Sequence, residues 1–221
     1  ALSLLETLGL SQAIPSMIEK VTAAGGQLAD DGRLLFPRYL VQGAINGAQR
    51  GFALCGQRPE HDLRIEGARV HMSTGGAAPG VFDIETGVYR DSTLADLYDA
   101  ARLVDAMENI HHFSRPVVAR DIEDNATMDL NTAYACLMGT SKHVSVSITE
   151  PANVPAIAAL CYAIAGGEAA FRARPFLTVM VCHVVPPMRF AEEACDVLEA
   201  AIRAGFPVQL ISAGQAGATS P

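Results

Sequence analysis

From about residue 91 the chain alternates between short β-rich runs and stretches with apolar residues three and four apart. Thr93-x-x-Asp96 is a capping box, opening a helix whose stripe is Leu94, Leu97, Tyr98, Ala101 and Val104. Pro116-Val117-Val118-Ala119 reads as a first short strand, and Leu130, Ala133, Tyr134, Leu137 and Met138 share the helical face after it. A second strand covers 143–148, followed by a long apolar helix around 154–165. A third strand covers 176–185, and Phe190, Ala194, Val197, Leu198 and Ala201 mark the next helix. Residues 207–211 form a fourth strand. The strands start near 116, 143, 176 and 207, at spacings of 27, 33 and 31 residues. Strand–helix–strand at that repeat implies βαβ units and a parallel sheet.

Residues 1–90 follow another pattern. Two helices (about 1–25 and 37–49) precede short strands separated by Asp31-Gly32, Glu66-Gly67, Gly75-Gly76 and Glu85-Thr86-Gly87, which predicts a small α+β region with hairpins. No G-x-G-x-x-G follows any strand, as a dinucleotide-binding sheet would want, and Gly75-Gly76 lacks the Gly-Lys-Ser/Thr of a P-loop. On the second strand Val144, Val146 and Ile148 share one face, while His143, Ser145, Ser147 and Thr149 share the other. Outer helices cover an apolar face and leave a small, polar one toward a barrel interior; an edge strand with one solvated face is the alternative. The expected fold class is therefore α/β, of (β/α)8 TIM-barrel type. Residues 1–90 would be the N-terminal helices and hairpins, and 91–221 the first four βα units.

A closed barrel needs about 250 residues, and eight units at this repeat come to about 240. Only four strands are found, and Thr219-Ser220-Pro221 reads as a helix start. The expectation is a fragment of a longer protein: an open sheet with exposed edges, its missing side filled by absent chain or another copy. A self-contained sheet with helices on both faces is the alternative.

Composition narrows the function classes. Lys and Arg number 16 against 24 Asp and Glu, a net charge of −8 with scattered cations, which argues against a nucleic-acid binder. Half the residues are apolar and the mean hydropathy is +0.22, which excludes intrinsic disorder. The longest apolar stretch, about 154–166, is short of the roughly 20 residues of a spanning helix, and no signal-peptide pattern opens the chain. Cys55, Cys136, Cys161, Cys182 and Cys195 form no C-x-x-C and no disulfide spacing, which points to a reducing compartment, the cytoplasm. Six histidines without ligand spacing predict no metal site.

The run Ser73-Thr74-Gly75-Gly76-Ala77-Ala78-Pro79-Gly80-Val81-Phe82-Asp83-Ile84-Glu85-Thr86-Gly87 resembles a segment of the trimethylamine methyltransferase family. Ser92 to Leu97, Ala101 to Ala106 and Asn109-Ile110 continue the resemblance. Asp31 to Pro37, Arg189 to Ala194 and Gly214 to Pro221 extend it over nearly the whole chain. The resemblance implies a barrel enzyme that moves a methyl group from a methylated tertiary or quaternary amine, such as trimethylamine or glycine betaine, to a Co(I) corrinoid on a partner protein. One branch of the family uses pyrrolysine and a larger one lacks it; the present chain is expected in the latter, although the distinguishing position lies beyond Pro221. Catalytic residues are expected there too. A homo-oligomer is expected as well. The Asp-x-His-x-x-Gly of corrinoid carriers is missing, so this chain is expected to bind no corrinoid tightly by itself.

Such a barrel gathers its chemistry at the C-terminal strand ends. Those ends carry Arg120-Asp121, Thr149-Glu150, Cys182-His183, and Ser212 with Gln215. The candidates facing substrate or corrinoid are therefore Gly75, Gly76, Arg120, Asp121, Thr149, Glu150, His183, Ser212 and Gln215. Each has a plainer reading. Arg120-Asp121 can be a local ion pair, Glu150 a helix cap, His183 a hydrogen-bonded core histidine, and the 73–80 loop a tight hairpin rather than a close approach for a planar macrocycle. Cys182 and His183, adjacent on a strand, point to opposite faces and cannot pair. Two other functions stay open: a silent barrel binding betaine-like ligands, and a metal-independent lyase or aldolase using a lysine not seen here. Of the only lysines, Lys20 and Lys142, the latter precedes a strand and stands at its wrong end.

Overall fold

Apolar periodicity and turn chemistry shape a computed structural model that describes residues 1–212 and 214. In chain order it runs α1 (Leu2–Thr7), α2 (Pro15–Ala23), β1 (Gln27–Leu28), β2 (Leu34–Leu35), α3 (Arg38–Gly47), β3 (Phe52–Leu54), β4 (Leu63–Ile65), β5 (Gly80–Asp83), β6 (Val88–Asp91) and α4 (Leu94–Asp105). It continues with β7 (His112–Ser114), α5 (Asn125–Gly139), β8 (His143–Val146), α6 (Val154–Ala165), α7 (Glu168–Ala173), β9 (Leu177–Val181), β10 (Val184–Val185), β11 (Arg189–Phe190), α8 (Glu192–Ala204) and β12 (Val208–Leu210).

The chain divides into two compact units. The first holds 1–50, 181–196 and the described residues from 210 onward; its core is Leu10, Ile14, Leu34, Phe190 and Cys195, with Met17, Val21 and Phe36 packed on it. The single helix expected near 1–25 is two helices here. Gly9 sits at φ +66°, and a Cβ there would lie 2.3 Å from the Leu34 carbonyl, so the chain turns at Gly9 and resumes its helix at Pro15.

The second unit holds 51–180 and 197–209, with the parallel strands. The sheet is open, in the order β12-β9-β8-β7. His112, Phe113 and Ser114 lie opposite His143, Val144 and Ser145, and Val144, Ser145 and Val146 opposite Leu177, Thr178 and Val179, all parallel. One face carries the buried Phe113, Val144, Val146, Leu177 and Val179; the other carries Ser114, Ser145 and Thr178 in one row. The Thr93–Asp96 capping box forms as expected, Asp96 N–H donating to Thr93 Oγ1 and Thr93 N–H to Asp96 Oδ2. Phe171 gathers Phe176 and Phe206, each at 5.2 Å between ring centroids, in edge contacts that close the apolar end of the unit.

Three expectations need correction. The first strand is His112–Ser114, not 116–119: Pro116 has no N–H, so the ladder to β8 ends with Arg115 N–H on the Ser145 carbonyl. The third strand stops at Val181, and β10 folds back antiparallel on β11 through Pro186-Pro187. The 73–80 segment is no hairpin. It runs parallel to β7, bridging Ser73 to His112 and Ala78 to Val117, with Ala78 N–H on the Pro116 carbonyl and Val118 N–H on the Ala78 carbonyl. One sheet edge expected to be bare is thus covered by the chain itself.

Lys142, 5% exposed, enters just before β8. Its ammonium donates to the carbonyls of Val104, Met107 and Ile110 at 2.5–2.7 Å, closing the C-terminal end of α4. Removing the donor leaves one buried and two partly buried carbonyls without it. Lys142→Met is expected to lower unfolding stability by about 2–3 kcal/mol, read as a shift of the urea midpoint at unchanged m value. Lys142→Arg, whose planar head cannot repeat the three-way geometry, should recover only part of it.

Candidate functional site

The loop that follows β8 is held by a carboxylate on the helix beside it. α5 starts at Asp124, whose Oδ1 accepts the Ala126 N–H, and one turn later Asp129 points inward, 3% exposed. Its Oδ2 accepts the N–H groups of Thr149 and Glu150, at 2.8 and 3.0 Å, and the Asn153 side-chain amide at 2.9 Å. Asn153 also donates to the Asn125 carbonyl. The loop after β8 is therefore fixed by its backbone, while the Thr149 and Glu150 side chains stay exposed. The Glu150 carboxylate makes no cap bond to the turn that follows, so helix capping does not account for it.

Arg115, the first residue after β7, is mostly buried, and its Nε has no hydrogen-bond partner. Burial pulls its guanidinium below the usual arginine range, opposed by Cys136 and Asp129 facing it. Further along, Arg120 pairs with Asp91 at 3.5 Å, and Asp121 accepts the Leu94 N–H that opens α4. The local Arg120–Asp121 ion pair is therefore not what forms. Arg120 ties the first strand's loop to the foot of the β5–β6 hairpin, and Asp121 ties it to the start of α4. Ser92, fully buried, adds to that tie by donating to the Val118 carbonyl and accepting the Arg120 N–H on its own carbonyl.

Gly75 and Gly76 are exposed on the segment along β7. Gly76 stands at φ +119°, which only glycine adopts readily, whereas a Cβ on Gly75 would meet nothing within 4 Å. His183 and Ser212 belong to the first unit. The His183 ring packs 6.3 Å from Phe190, its Nδ1 is buried without a partner, and burial lowers its pKa. A hydrogen-bonded core histidine is thus not what the ring makes of its Nδ1. Cys182 turns its thiol to the Val184 carbonyl rather than to His183. Ser212 is exposed just past β12, and Gln215 lies outside the described residues, as does the helix start at Thr219-Ser220-Pro221. The structure thus brings Arg120 to the hairpin foot and Asp121 to the start of α4, and holds the N–H groups of Thr149 and Glu150 on one carboxylate. Among the described residues no three His, Cys, Asp or Glu side chains converge to hold a metal ion. No helix there is long and apolar enough to cross a membrane.

The polar face of the sheet has its own anchor. His143, fully buried, meets the Cys55 carbonyl at Nδ1 (2.8 Å) and Thr178 Oγ1 at Nε2 (2.7 Å). Burial first, and His112 beside it, hold its pKa down at about 4.

With fold and site so described, the chain is an α/β protein with a parallel sheet whose strand ends carry the candidate chemistry. Comparison with known proteins adds the family. The trimethylamine methyltransferase (MTTB) family profile matches residues 1–221, so the chain belongs to that family. It is 30% identical over 220 residues to the trimethylamine methyltransferase MttB of Desulfitobacterium hafniense, covering 99% of this chain and 44% of that protein. Against trimethylamine methyltransferase MttB1 of Methanosarcina mazei the identity is 32% over 84% of this chain and 38% of the relative. Glycine betaine methyltransferase of Desulfitobacterium hafniense is 24% identical, over all of this chain and 45% of its own length. The chain thus spans less than half the length of these relatives.

Asp129 and Arg115 went unnamed in the sequence reading. A signal existed for Asp129: an acid one turn before Ala133 on a buried helix stripe needs a buried partner. Two outcomes test the site's anchors. Asp129→Ala is expected to cost about 3 kcal/mol and to open the 149–153 loop to limited proteolysis. For His143 the folded pKa lies below the unfolded value of about 6.5, so above that pH the histidine is neutral in both states and contributes nothing. As the pH falls from 6.5 toward 4 the unfolded chain takes the proton first, and stability should drop by about 3 kcal/mol. Urea unfolding at pH 7 and pH 4.5 reads that slope, which His143→Gln should flatten.

Proposed function

We propose that the protein carrying this chain is a corrinoid-dependent methyltransferase acting on a methylated tertiary or quaternary amine. The observation that carries this reading is the family match along residues 1–221, with relatives named for trimethylamine and for glycine betaine. On this reading residues 91–221 are the first four βα units of a (β/α)8 barrel, and 1–90 the region in front of it. The parallel order of β7, β8 and β9 supports it. In the reaction the N–CH3 bond breaks with its electron pair staying on nitrogen, and the methyl bonds to the cobalt of a Co(I) corrinoid brought by a separate protein.

This chain's part would be at the strand ends. Arg120, Asp121, Thr149, Glu150, His183, Ser212 and Gln215, with Gly75 and Gly76, are the positions proposed to face substrate or corrinoid. The exposed Glu150 carboxylate is suited to a cationic amine, and its backbone is held still by Asp129. Positioning of that kind is what such a reaction asks of a protein, since the cobalt supplies the nucleophile. A cytoplasmic homo-oligomer is part of the same proposal. The lyase or aldolase alternative finds no support in Lys142, whose ammonium is enclosed by three carbonyls.

The test is methyl transfer from trimethylamine or glycine betaine to cob(I)alamin, followed by the cobalamin absorbance change. The reading expects methylcobalamin to form with at least one of the two amines. It also expects Glu150→Gln to raise the KM for the amine several-fold with a smaller change in kcat. Tight betaine binding without any cobalamin methylation would favour the silent binding protein instead.

A further inference from the structure

We propose that His111 is a pH-sensitive latch: neutral, it holds residues 71–73 against the start of β7, and protonated, it releases them. Every residue of the latch belongs to the second unit. His111, one residue before β7, grips Met72 from both sides. Its N–H donates to the Met72 carbonyl, and its ring Nδ1 accepts the Met72 N–H, both at 2.8 Å. A backbone N–H can only donate, so the ring is neutral with its proton on Nε2. A proton on Nδ1 and the Met72 hydrogen bond exclude each other.

His111 is one of four histidines at this corner. The His71 ring stands edge-on to it, 5.4 Å between centroids. His71 Nε2 meets the Arg64 carbonyl at 3.0 Å, so its proton sits there, and Nδ1 is left buried without a partner. His112 Nδ1 is likewise buried without a partner. Burial first, then His71 and His111 beside it, push the His112 pKa down. Its ring lies 6.5 Å from that of His143, which is taken up by Cys55 and Thr178. Charged groups on the neighbouring elements are already engaged: the Arg64 guanidinium with Glu66, and the Lys142 ammonium with the Ile110 carbonyl. The Asp62 carboxylate, which acts on His143, is held by Arg174, and Glu108 is exposed on the turn before His111. Rings so close oppose a second proton, and His111 is the member that gives up a backbone hydrogen bond in taking the first.

What acid releases is bounded. The Thr74 hydroxyl donates to the Ser114 carbonyl and accepts the Ser114 N–H. Ala78 N–H donates to the Pro116 carbonyl, and the Ala78 carbonyl accepts the Val118 N–H. None of these partners titrates. Ser73, bridged to His112, moves with Met72, while the stretch from Thr74 onward stays in place. Proton uptake by one ring thus bares the edge of β7 at its N-terminal end and leaves the rest covered.

The experiment uses the whole protein that carries this chain. Amide hydrogen exchange is read by mass spectrometry over peptides covering 68–75 and 143–149, at pH 8 and pH 5.5. Each rate is divided by that of an unstructured peptide at the same pH. Protection over 68–75 is expected to fall about tenfold at the lower pH. His111→Asn, whose side-chain oxygen stands in for Nδ1 and takes no proton, should keep its pH 8 protection at pH 5.5. His111→Phe, which offers no acceptor, should lack that protection at both. Equal wild-type protection at the two pH values overturns the latch, and so does an Asn variant that falls as the wild type does. If the Asn variant loses protection over 143–149 at pH 8, the His143→Gln protein, whose sheet responds less to pH, is followed stepwise from pH 8 to 5.5. A fall confined to 68–75 then supports the latch, and a fall shared with 143–149 overturns it.

Discussion

A parallel sheet leaves backbone groups at its strand ends that no ladder pairs, and in this protein two buried charges meet them. Lys142 stands at the N-terminal ends, where a descending helix presents carbonyls, and collects three of them. Asp129 stands at the C-terminal ends, where the chain turns toward α6 and presents N–H groups, and collects two with an amide. The signs are not interchangeable. Helix C-termini carry partial negative charge and N-termini partial positive charge, so a cation at one end of the sheet and an anion at the other follow from the direction of the helices. The strand-end loops inherit their stiffness from this arrangement, and the candidate site is made of those loops.

Regular elements were legible in the sequence because they rest on periodicity. The helix opened by Thr93, the apolar helix at 154–165 and the starts of the second, third and fourth strands stand where spacing put them, to within about a residue. Interruptions were harder to read. Pro116 ended a ladder that β propensity alone would extend, and Gly9 split a helix whose apolar spacing ran on. The 73–80 segment misled for a related reason. Two adjacent glycines look like a turn, yet what binds them to β7 is backbone pairing over about 40 residues of sequence, which carries no local mark.

The candidate positions were legible by place and not by contact. Strand-end logic named Thr149 and Glu150, which follow β8 closely, and Arg120 and Asp121, which stand well past β7 because the ladder ends at Pro116. It did not reach Asp129, which acts on that loop from a helix 20 residues upstream. Nor did it show that Arg120 would choose Asp91 over its neighbour Asp121. Family membership adds what neither approach supplies, a chemistry against which those positions can be weighed.

The polar face of β8 shows how structural and functional demands share one strand. His143 and Ser145 are buried, Ser147 is partly so, and Thr149 is exposed, so solvent access grows toward the C-terminal end. At the buried end the histidine is used up by Cys55 and Thr178 and kept neutral, a plug that needs no ligand to be satisfied. Had the same polar row served only to bind a ligand, its deepest member would be left with an open nitrogen, and it is not. Polarity on this face therefore has two causes that separate by depth: hydrogen bonding within the fold below, and free side chains only near the mouth. Solvent-facing side chains along this row are thereby confined to Thr149, with Glu150 beside it, because every deeper member is committed to the fold or shielded by it.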